Sequence, residues 1–351
     1  MEQRELEQLL ESVFNRMIQA NEHNSNDHMN FDTWEWPVGV ALYGLYKFYR
    51  LTGKEQYLQF MVEWYDRHIE AGLPPKNVNS VAPLLTLIHI YEQGGNERYL
   101  RICEEWADWI MKDMPRTEEG GLQHITIIAD NEQQLWDDTL FMTVLFLAKM
   151  AEVTGQSNYR SEAEYQFLLH IKYLTDIKSG LWFHGWTFDG RHNFGGNLWA
   201  RGNCWFTAGA VEYLEISSCS GAVERFILEA LDGQVRKLSE LQGQNGMWHT
   251  LLDDPASYME ASATAGFGYG ILKGVRKGYL DASYWETGRK AIEAVTSCIE
   301  PDGTVSQVSY GTAIGHEAAH YKNIPICPTA YGQALVIMLL AEAMEKIHDE
   351  A

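Results

Sequence analysis

The chain has 351 residues, of which 27 are Lys or Arg and 48 are Asp or Glu, so its formal net charge is −21. This excess of negative charge argues against binding to nucleic acid or to anionic membranes. The chain begins with a charged segment, residues 1–6, instead of an apolar leader, and no apolar stretch is long enough to cross a bilayer. We therefore expect a cytoplasmic protein that does not bind membranes.

Apolar residues recur with helical spacing in long runs that are separated by short breaks. In three of these breaks, within residues 51–57, 93–99 and 153–159, a Gly ends one run and a Tyr comes early in the next. A Gly at this place suits the left-handed residue that ends a helix, so the next run begins a second helix. The pattern predicts helical pairs near residues 36–70, 79–113, 137–175, 200–241 and 260–299.

A sixth pair is predicted from the two ends of the chain, with helices near residues 3–22 and 329–347. Six pairs with apolar inner helices and amphipathic outer helices give an all-α fold, the (α/α)6 barrel. No linker or low-complexity segment divides the chain, so residues 1–351 are expected to form one domain. The loops that lead into the inner helices would line a funnel at one end of this barrel.

Polar motifs repeat along the chain at the predicted starts of inner helices. A short segment that contains Gly and ends in His or another polar residue comes before a polar helix start. The clearest copies lead from residues 120–124 to 136–138, from 180–186 to 199–205 and from 246–249 to 260–265. Because repeats of this kind place corresponding loops on one face, we expect these residues to meet at the funnel.

Asp138 is the strongest candidate for chemistry. It follows Trp136 and Asp137 and precedes an apolar helix that begins near Leu140. Asp is a favoured helix cap, and capping alone is the competing interpretation. One cap needs only one carboxylate, so the second of the adjacent pair is free to face the funnel.

Tryptophans are concentrated in the predicted loops and first helical turns. A Trp offers a flat apolar surface and one N–H donor, so several of them around polar groups are suited to stacking against sugar rings. Some are expected only to fill the ends of the barrel. The set comprises Trp34, Trp36, Trp136, Trp182, Trp186, Trp199, Trp205 and Trp248.

Arg201 lies in a second polar motif with His184, Trp199 and Trp205. Its planar guanidinium is suited to a carboxylate ligand, and the neighbouring Gly would allow a ligand to approach closely. Pairing of Arg201 with Asp137 or Glu260 inside the protein is the alternative.

Three histidines, His124, His184 and His249, each follow a Gly-containing turn and are either funnel residues or buried histidines bonded to backbone. The histidines and acidic residues lack metal-binding spacing, and no phosphate-binding glycine loop is present. The five cysteines have no paired spacing, which indicates reduced thiols, and we do not expect Cys204 to be a nucleophile. We therefore expect no metal and no cofactor.

Three strings of residues together resemble a known family: Trp136-x-Asp138-Thr-Leu-Phe-Met, residues 183–186 (Phe-His-Gly-Trp), and residues 199–205 (Trp-Ala-Arg-Gly-Asn-x-Trp). They closely resemble glycoside hydrolase family 105, the unsaturated rhamnogalacturonyl hydrolases. Family 88, the unsaturated glucuronyl hydrolases, shares the aspartate motif. The resemblance extends from about residue 34 to about residue 341.

The resemblance implies an (α/α)6 barrel without a metal, acting on lyase-generated oligosaccharides that carry a 4,5-unsaturated uronic acid at the non-reducing end. Enzymes of this family hydrate the double bond of that sugar. By this resemblance Asp138 is the general acid and base, and we expect burial beside Trp136 and the charge of Asp137 to raise its pKa. Substrate contacts are implied for His184, Trp199, Arg201 and Trp205, with Arg201 a candidate for the uronate carboxylate, and also for Trp136 and His124.

One position departs from the family pattern. The family often has a second Asp at the start of the preceding inner helix, where this chain has Asn79. Asn79 is expected to hydrogen-bond a sugar hydroxyl or to orient Asp138. The departure leaves open which sugar follows the unsaturated uronate.

Three other classes of function remain open at this point. An inverting glycosidase would need two separated carboxylates, such as Asp138 with Glu260. A sugar epimerase on the same barrel would use paired histidines, such as His184 with His249. A non-catalytic sugar-binding protein would keep the tryptophans without needing Asp138.

Overall fold

The computed structural model describes residues 3–19 and 29–350, with side chains described as far as residue 345. Six inner helices surround the barrel axis: α2 (Trp36–Thr52), α4 (Val78–Gly94), α6 (Leu145–Thr154), α8 (Ala200–Ile216), α10 (Ala261–Arg276) and α13 (Ala330–Glu350). Six outer helices cover them: α1 (Gln3–Gln19), α3 (Glu55–Ala71), α5 (Glu97–Lys112), α7 (Ser157–Leu174), α9 (Gly221–Leu241) and α11 (Trp285–Thr296). A short helix, α12 (Ala318–Lys322), lies in the loop before α13.

The helices form a closed ring. Each inner helix packs against the next one in the chain, and α13 packs against α2. Each outer helix packs on its own inner partner, and α1 from the start of the chain packs on α13. The predicted (α/α)6 barrel is therefore confirmed, including the pair that joins the two ends; the predicted residues 20–22 of the first helix lie outside the described residues.

The sequence explains the difference between inner and outer helices. In α8 every residue from Ala200 to Tyr213 is buried, whereas α5 buries one stripe of five residues at helical spacing. Close packing of the inner ring depends on small residues, because a Cβ atom at Gly270 would lie 2.6 Å from the carbonyl oxygen of Thr207 on the neighbouring helix. The predicted left-handed glycines are also confirmed: Gly53, Gly95 and Gly155 have φ of 62°, 65° and 71° and end their helices.

Two short strands, β1 (Gln134–Trp136) and β2 (Gly185–Thr187), form an antiparallel ladder at the N-terminal ends of the inner helices. Trp136 is paired with Gly185 in this ladder. The residues that immediately follow β1 and precede β2 are thus brought together. Among the described residues no helix is long and apolar enough to cross a lipid bilayer.

Candidate active site

Asp138 and His184 lie side by side where the chain leaves the β1–β2 ladder and continues towards α6. The backbone N–H of Asp137 donates to the carbonyl oxygen of His184 at 3.1 Å, which sets the two segments side by side. His184 Nε2 then lies 3.2 Å from Asp138 Oδ2. The side chain of His184 is only 1% exposed, whereas that of Asp138 is 19% exposed. Asp138 is therefore the member of this pair that a ligand in the funnel can reach.

Tyr321 orients His184 from the other side. Its hydroxyl lies 2.8 Å from His184 Nδ1 and accepts a hydrogen bond from the backbone N–H of Gly315 at 3.1 Å. Because the hydroxyl oxygen accepts from Gly315, its proton is available to His184 Nδ1, and the ring then carries its own proton on Nε2. Burial lowers the pKa of His184, which favours this neutral form. The neutral imidazole thus donates to Asp138.

The protonation of the acidic pair differs from the sequence-based expectation. Burial acts to raise the pKa of Asp138, but the hydrogen bond from His184, together with the electrostatic effects of His184 and His124, outweighs it and holds the pKa below its usual range. The pKa that is raised, well above its usual range, is that of Asp137, because Asp137 is fully buried and lies beside the charge of Asp138. The predicted increase for Asp138 was wrong, since it considered burial and like charge without the hydrogen bond from His184.

The competing interpretation of the pair as a helix cap is not supported, because the carboxylate of Asp137 accepts no hydrogen bond of normal geometry from the described residues and that of Asp138 is bonded to His184. The helical segment begins at Asp138, and a π-helical turn, Leu140–Val144, follows Thr139, whose side chain makes no capping bond. Turns of this kind are rare and are frequent at functional sites. Thr139 instead hydrogen-bonds His124, with 2.8 Å between the hydroxyl oxygen and Nδ1.

His124 and Trp136 form a stacked pair beside Asp138. Their rings are nearly parallel, with centroids 4.2 Å apart, and the indole N–H of Trp136 donates to the side-chain oxygen of Gln134 at 2.9 Å. Burial lowers the pKa of His124 to about 4, so this ring is neutral near pH 7. Trp136 also meets His184 edge to face, with centroids 5.5 Å apart. These contacts fix the wall around Asp138.

Arg201 is enclosed under the funnel, with 1% exposure. Its guanidinium lies 4.5 Å from the ring centre of Trp199 and donates to the backbone carbonyls of Ser309 and Tyr310 at 2.7 and 2.8 Å. The guanidinium is therefore bonded to the loop that precedes α13, and contact of Arg201 with a substrate stays a prediction.

Trp199 packs against His184 with centroids 4.4 Å apart, and its own side chain is 1% exposed. Trp205 is fully buried between Trp36 and Phe141, with ring centroids 6.2 and 5.1 Å away. Trp199 thus packs against His184, and Trp205 forms part of the packed barrel interior.

Asn79 lies in the first turn of α4, whose cap is supplied by Asn77. The Asn79 side chain hydrogen-bonds Glu35, the residue immediately before α2. Burial raises the pKa of Glu35, and the bonds from Trp36 and Asn79 oppose this effect. Glu35 is a partly buried carboxylate that the sequence reasoning missed, although it precedes an inner helix as Asp138 does. Tyr321 was also missed, and its loop position 137 residues from His184 carried no signal.

The residues of the rival functions have other partners. Glu260 is fully buried and caps α10, and one of its oxygens also accepts the N–H of Ser309 at 2.9 Å. His249 bonds through Nδ1 to the carbonyl of Ser257 within its own loop. Cys204 is buried, which raises its pKa well above the usual value and disfavours a thiolate. The geometry therefore supplies no second funnel carboxylate from Glu260.

The protein has a closed ring of six helical hairpins, and a partly exposed carboxylate is held there by a buried histidine and aromatic walls. These features are those of a carbohydrate-active barrel hydrolase. The chain belongs to Glycosyl Hydrolase Family 88, whose family model matches residues 10–347. It is a glycoside hydrolase.

Comparison with individual proteins confirms the resemblance to family 105. The chain is 32% identical over 342 residues to the unsaturated rhamnogalacturonyl hydrolase YesR of Bacillus subtilis, covering 97% of this chain and 96% of that protein. A solved structure from Salmonella enterica serovar Paratyphi A, described as "a possible member of GH105 family", is 42% identical with a TM-score of 0.95 and covers 99% of this chain and 95% of that one. A structure from Klebsiella pneumoniae with the same description is 43% identical with a TM-score of 0.94 and covers 99% and 94%.

Proposed function

We propose that this protein is an unsaturated uronyl hydrolase that releases a 4,5-unsaturated uronic acid from the non-reducing end of lyase-generated oligosaccharides. The observation that carries the proposal is the partly exposed Asp138, held by His184 at the funnel of a barrel that is 32% identical over nearly its whole length to a rhamnogalacturonyl hydrolase. We propose unsaturated galacturonyl-rhamnose, from rhamnogalacturonan, as the substrate. This places the protein in pectin degradation.

The proposed reaction adds water across the vinyl ether bond. Asp138 gives a proton to C4 of the unsaturated ring, and positive charge develops at C5 and the ring oxygen. Water attacks C5 and returns its proton to the Asp138 carboxylate, so the acid is regenerated. The product at C5 is a hemiketal, which opens, and the linkage at C1 then breaks to release the remaining sugar.

The surrounding residues support this chemistry in distinct ways. His184 donates to Asp138 and fixes the direction of its lone pairs, and Tyr321 fixes His184. We propose that Trp136, stacked on His124, presents the wall against which the flat unsaturated ring lies. We propose that Asn79, whose side chain bonds Glu35, contacts a hydroxyl of the substrate.

The test is to incubate the protein with three unsaturated disaccharides and follow the ultraviolet absorbance of the conjugated ene-carboxylate. The three are galacturonyl-rhamnose, galacturonyl-galacturonate and a glucuronyl disaccharide. We expect absorbance to fall fastest with galacturonyl-rhamnose, and saturated galacturonides to remain uncleaved because they lack the bond to be hydrated. Binding of these sugars without loss of absorbance would contradict the proposed function, and faster loss with another disaccharide would contradict the proposed substrate alone.

A further inference from the structure

Asp137 carries a buried carboxyl group whose oxygens lack, among the described residues, a hydrogen bond or ion pair that would stabilise a negative charge. Its side chain is fully buried, and neither carboxylate oxygen makes a hydrogen bond of normal geometry within the described part of the chain. Gly202 of α8 packs directly on it, because a Cβ atom at position 202 would overlap Asp137 Oδ2. The enclosure is therefore tight, and a buried, unpartnered carboxylate is too costly to remain ionised.

The charged and titratable groups packed around Asp137 show how its carboxyl group can be stable when buried. Asp138 and His184 are nearest, since one oxygen of each aspartate and one ring nitrogen of His184 lie within 4.8 Å of one another. Arg201, which follows Trp199 and Ala200 into α8, is committed to the carbonyls of Ser309 and Tyr310. The remaining groups on the surrounding elements are neutral or acidic: His124, Tyr321, Cys204 and Glu260.

Two carboxylates at this separation attract each other only when one carries a proton. Asp138 accepts a hydrogen bond from His184, which stabilises its ionised form, whereas Asp137 has only backbone N–H groups beside it and accepts no hydrogen bond of normal geometry from the described part of the chain. The proton of the pair is thus best held by Asp137.

We propose that Asp137 and Asp138 share one proton, which Asp137 holds in the free enzyme and passes to Asp138 when substrate enters. The inference rests on the proposed hydration reaction and adds a positioning and proton-holding residue to it. The proton moves from Asp137 to Asp138 and then to C4 of the substrate, and the proton released by the attacking water restores the singly protonated pair. Asp137 never touches the substrate. Its role explains how an aspartate that is ionised at rest can act as a general acid near neutral pH.

The first experiment compares the pH dependence of kcat and KM in wild type and Asp137→Asn. The amide keeps the volume of the acid and can still donate to Asp138, but it cannot pass on a proton. In wild type the fall of kcat at high pH, the alkaline limb of the profile, follows loss of the proton that the two aspartates share. In the variant it follows loss of the proton of Asp138 alone. We expect this limb to move to lower pH by about one unit or more, with kcat near pH 8 lower by about tenfold and KM within about threefold of wild type.

A purely structural role for Asp137 predicts a different result. In that case kcat falls by the same factor at every pH and the limb does not move, which would overturn the proposal. Asp130→Asn is the matched control, because it removes the same charge from an exposed position on the nearby loop. Its pH profile is expected to coincide with that of wild type.

A second measurement does not depend on activity. Carbon NMR of protein labelled at the aspartate carboxyl carbons reports protonation directly, and we expect one protonated carboxyl at pH 7 that is absent from Asp137→Asn. If wild type shows this signal but hydrates no unsaturated uronide, the proposed function fails while the shared proton stands. If every aspartate is ionised at pH 7, the shared proton is overturned even when the enzyme is active.

The same three side chains could instead hold a divalent cation, which would keep Asp137 ionised. Chelation with EDTA, followed by addition of calcium, manganese or zinc alone, separates the two cases. We expect activity and the protonated carboxyl signal to survive chelation. Loss of activity that one of these ions restores, together with loss of the signal on metal binding, would overturn the proposal.

Discussion

The carboxylate of Asp138 is partly exposed and accepts a hydrogen bond from His184, whereas that of its neighbour Asp137 is enclosed and accepts no hydrogen bond of normal geometry from the residues that the structure describes. Two side chains of identical chemistry therefore differ in their protonation, because their surroundings differ. Arg201 illustrates the same dependence, since its guanidinium is occupied by two backbone carbonyls. At the scale of single residues, the protonation and the binding capacity of each polar group depend on its hydrogen-bond partners.

Asp138→Asn is expected to abolish turnover while leaving the fold intact, because the amide has nearly the same shape but cannot give a proton to the vinyl carbon. General acid–base catalysis contributes about a hundredfold to ten-thousandfold, so kcat should fall by at least about a hundredfold. Loss of ene-carboxylate absorbance measures turnover, and circular dichroism checks the fold. A folded variant with near-normal kcat would remove Asp138 from the mechanism.

Arg201→Lys tests whether the guanidinium holds the loop or reads the uronate carboxylate. A Lys cannot reproduce the planar arrangement that bonds both Ser309 and Tyr310, and a buried carbonyl left unpaired costs about 1–3 kcal/mol. We expect that loss in the free energy of unfolding measured with urea, and an unchanged ratio of kcat/KM between the free uronate and its methyl ester. A ratio that shrinks in the variant would instead show that Arg201 reads the carboxylate.

At the scale of secondary-structure elements, the β1–β2 ladder and the π-helical turn after it position the residues of the candidate active site. The ladder pairs Trp136 with Gly185 and so brings Asp138 to His184, and the π turn joins this region to α6. The first turns of α2 and α4 contribute Glu35 and Asn79 in the same way. The funnel is thus built from the N-terminal ends of neighbouring inner helices.

Asn79→Asp tests how close the start of α4 lies to Asp138. A carboxylate at this position removes the amide donor of Glu35 and adds a negative charge, and a nearby negative charge raises the pKa of a carboxyl group. We expect the pH optimum of kcat to move upward. Asn79→Ser, which removes the amide without adding charge, is the control and should leave the optimum in place. A profile that is the same in all three proteins would show that Asn79 is remote from the reacting acid.

The barrel as a whole is closed at its opposite end by a buried network of charges. Glu212 of α8 is fully buried and bonds Tyr43 of α2 and Tyr269 and Lys273 of α10, and Lys47 of α2 lies 2.8 Å from it. Helices α2 and α8 face each other across the ring, so this carboxylate joins opposite sides of the barrel. A cavity of about 340 Å³ beside it is lined by the C-terminal halves of the inner helices and is separate from the funnel.

Glu212→Gln is expected to destabilise the whole molecule by about 3 kcal/mol at pH 7, because it leaves the buried Lys273 and the partly buried Lys47 to share Glu215 as their remaining counter-charge. Burial acts to raise the pKa of Glu212, but Lys273 and Lys47 lower it to about 2 in the folded state. The ionised carboxylate therefore stabilises the fold fully above its ordinary pKa near 4.5, and this contribution is lost as pH falls toward 2.

Urea unfolding of wild type and Glu212→Gln at pH 7, 4.5 and 3 measures this dependence. We expect the difference between the two proteins to be largest at pH 7 and smaller at pH 3. The control is Glu229→Gln, because Glu229 forms an exposed pair with Arg225 and should change stability by less than about 1 kcal/mol at any pH. A difference for Glu212→Gln that does not change with pH would contradict the depressed pKa.

The six helical pairs, their order and the position of Asp138 could be predicted from the amino-acid sequence. These features depend on local physics: helical spacing of apolar residues, glycines such as Gly53 and Gly155 that end helices, and a polar start before each inner helix. The family strings around Asp138 and Arg201 added the class of enzyme, which the comparisons confirm.

The protonation of the aspartate pair, the partners of Arg201 and the orientation of His184 depend on contacts that form only in the folded protein. Tyr321 lies 137 residues from His184, and Ser309 lies 108 residues from Arg201, so no local pattern joins these partners. The pKa of a carboxyl group depends on the donors and charges within a few ångströms in space. Those neighbours come from four separate hairpins of the ring, and they become neighbours only when the ring closes.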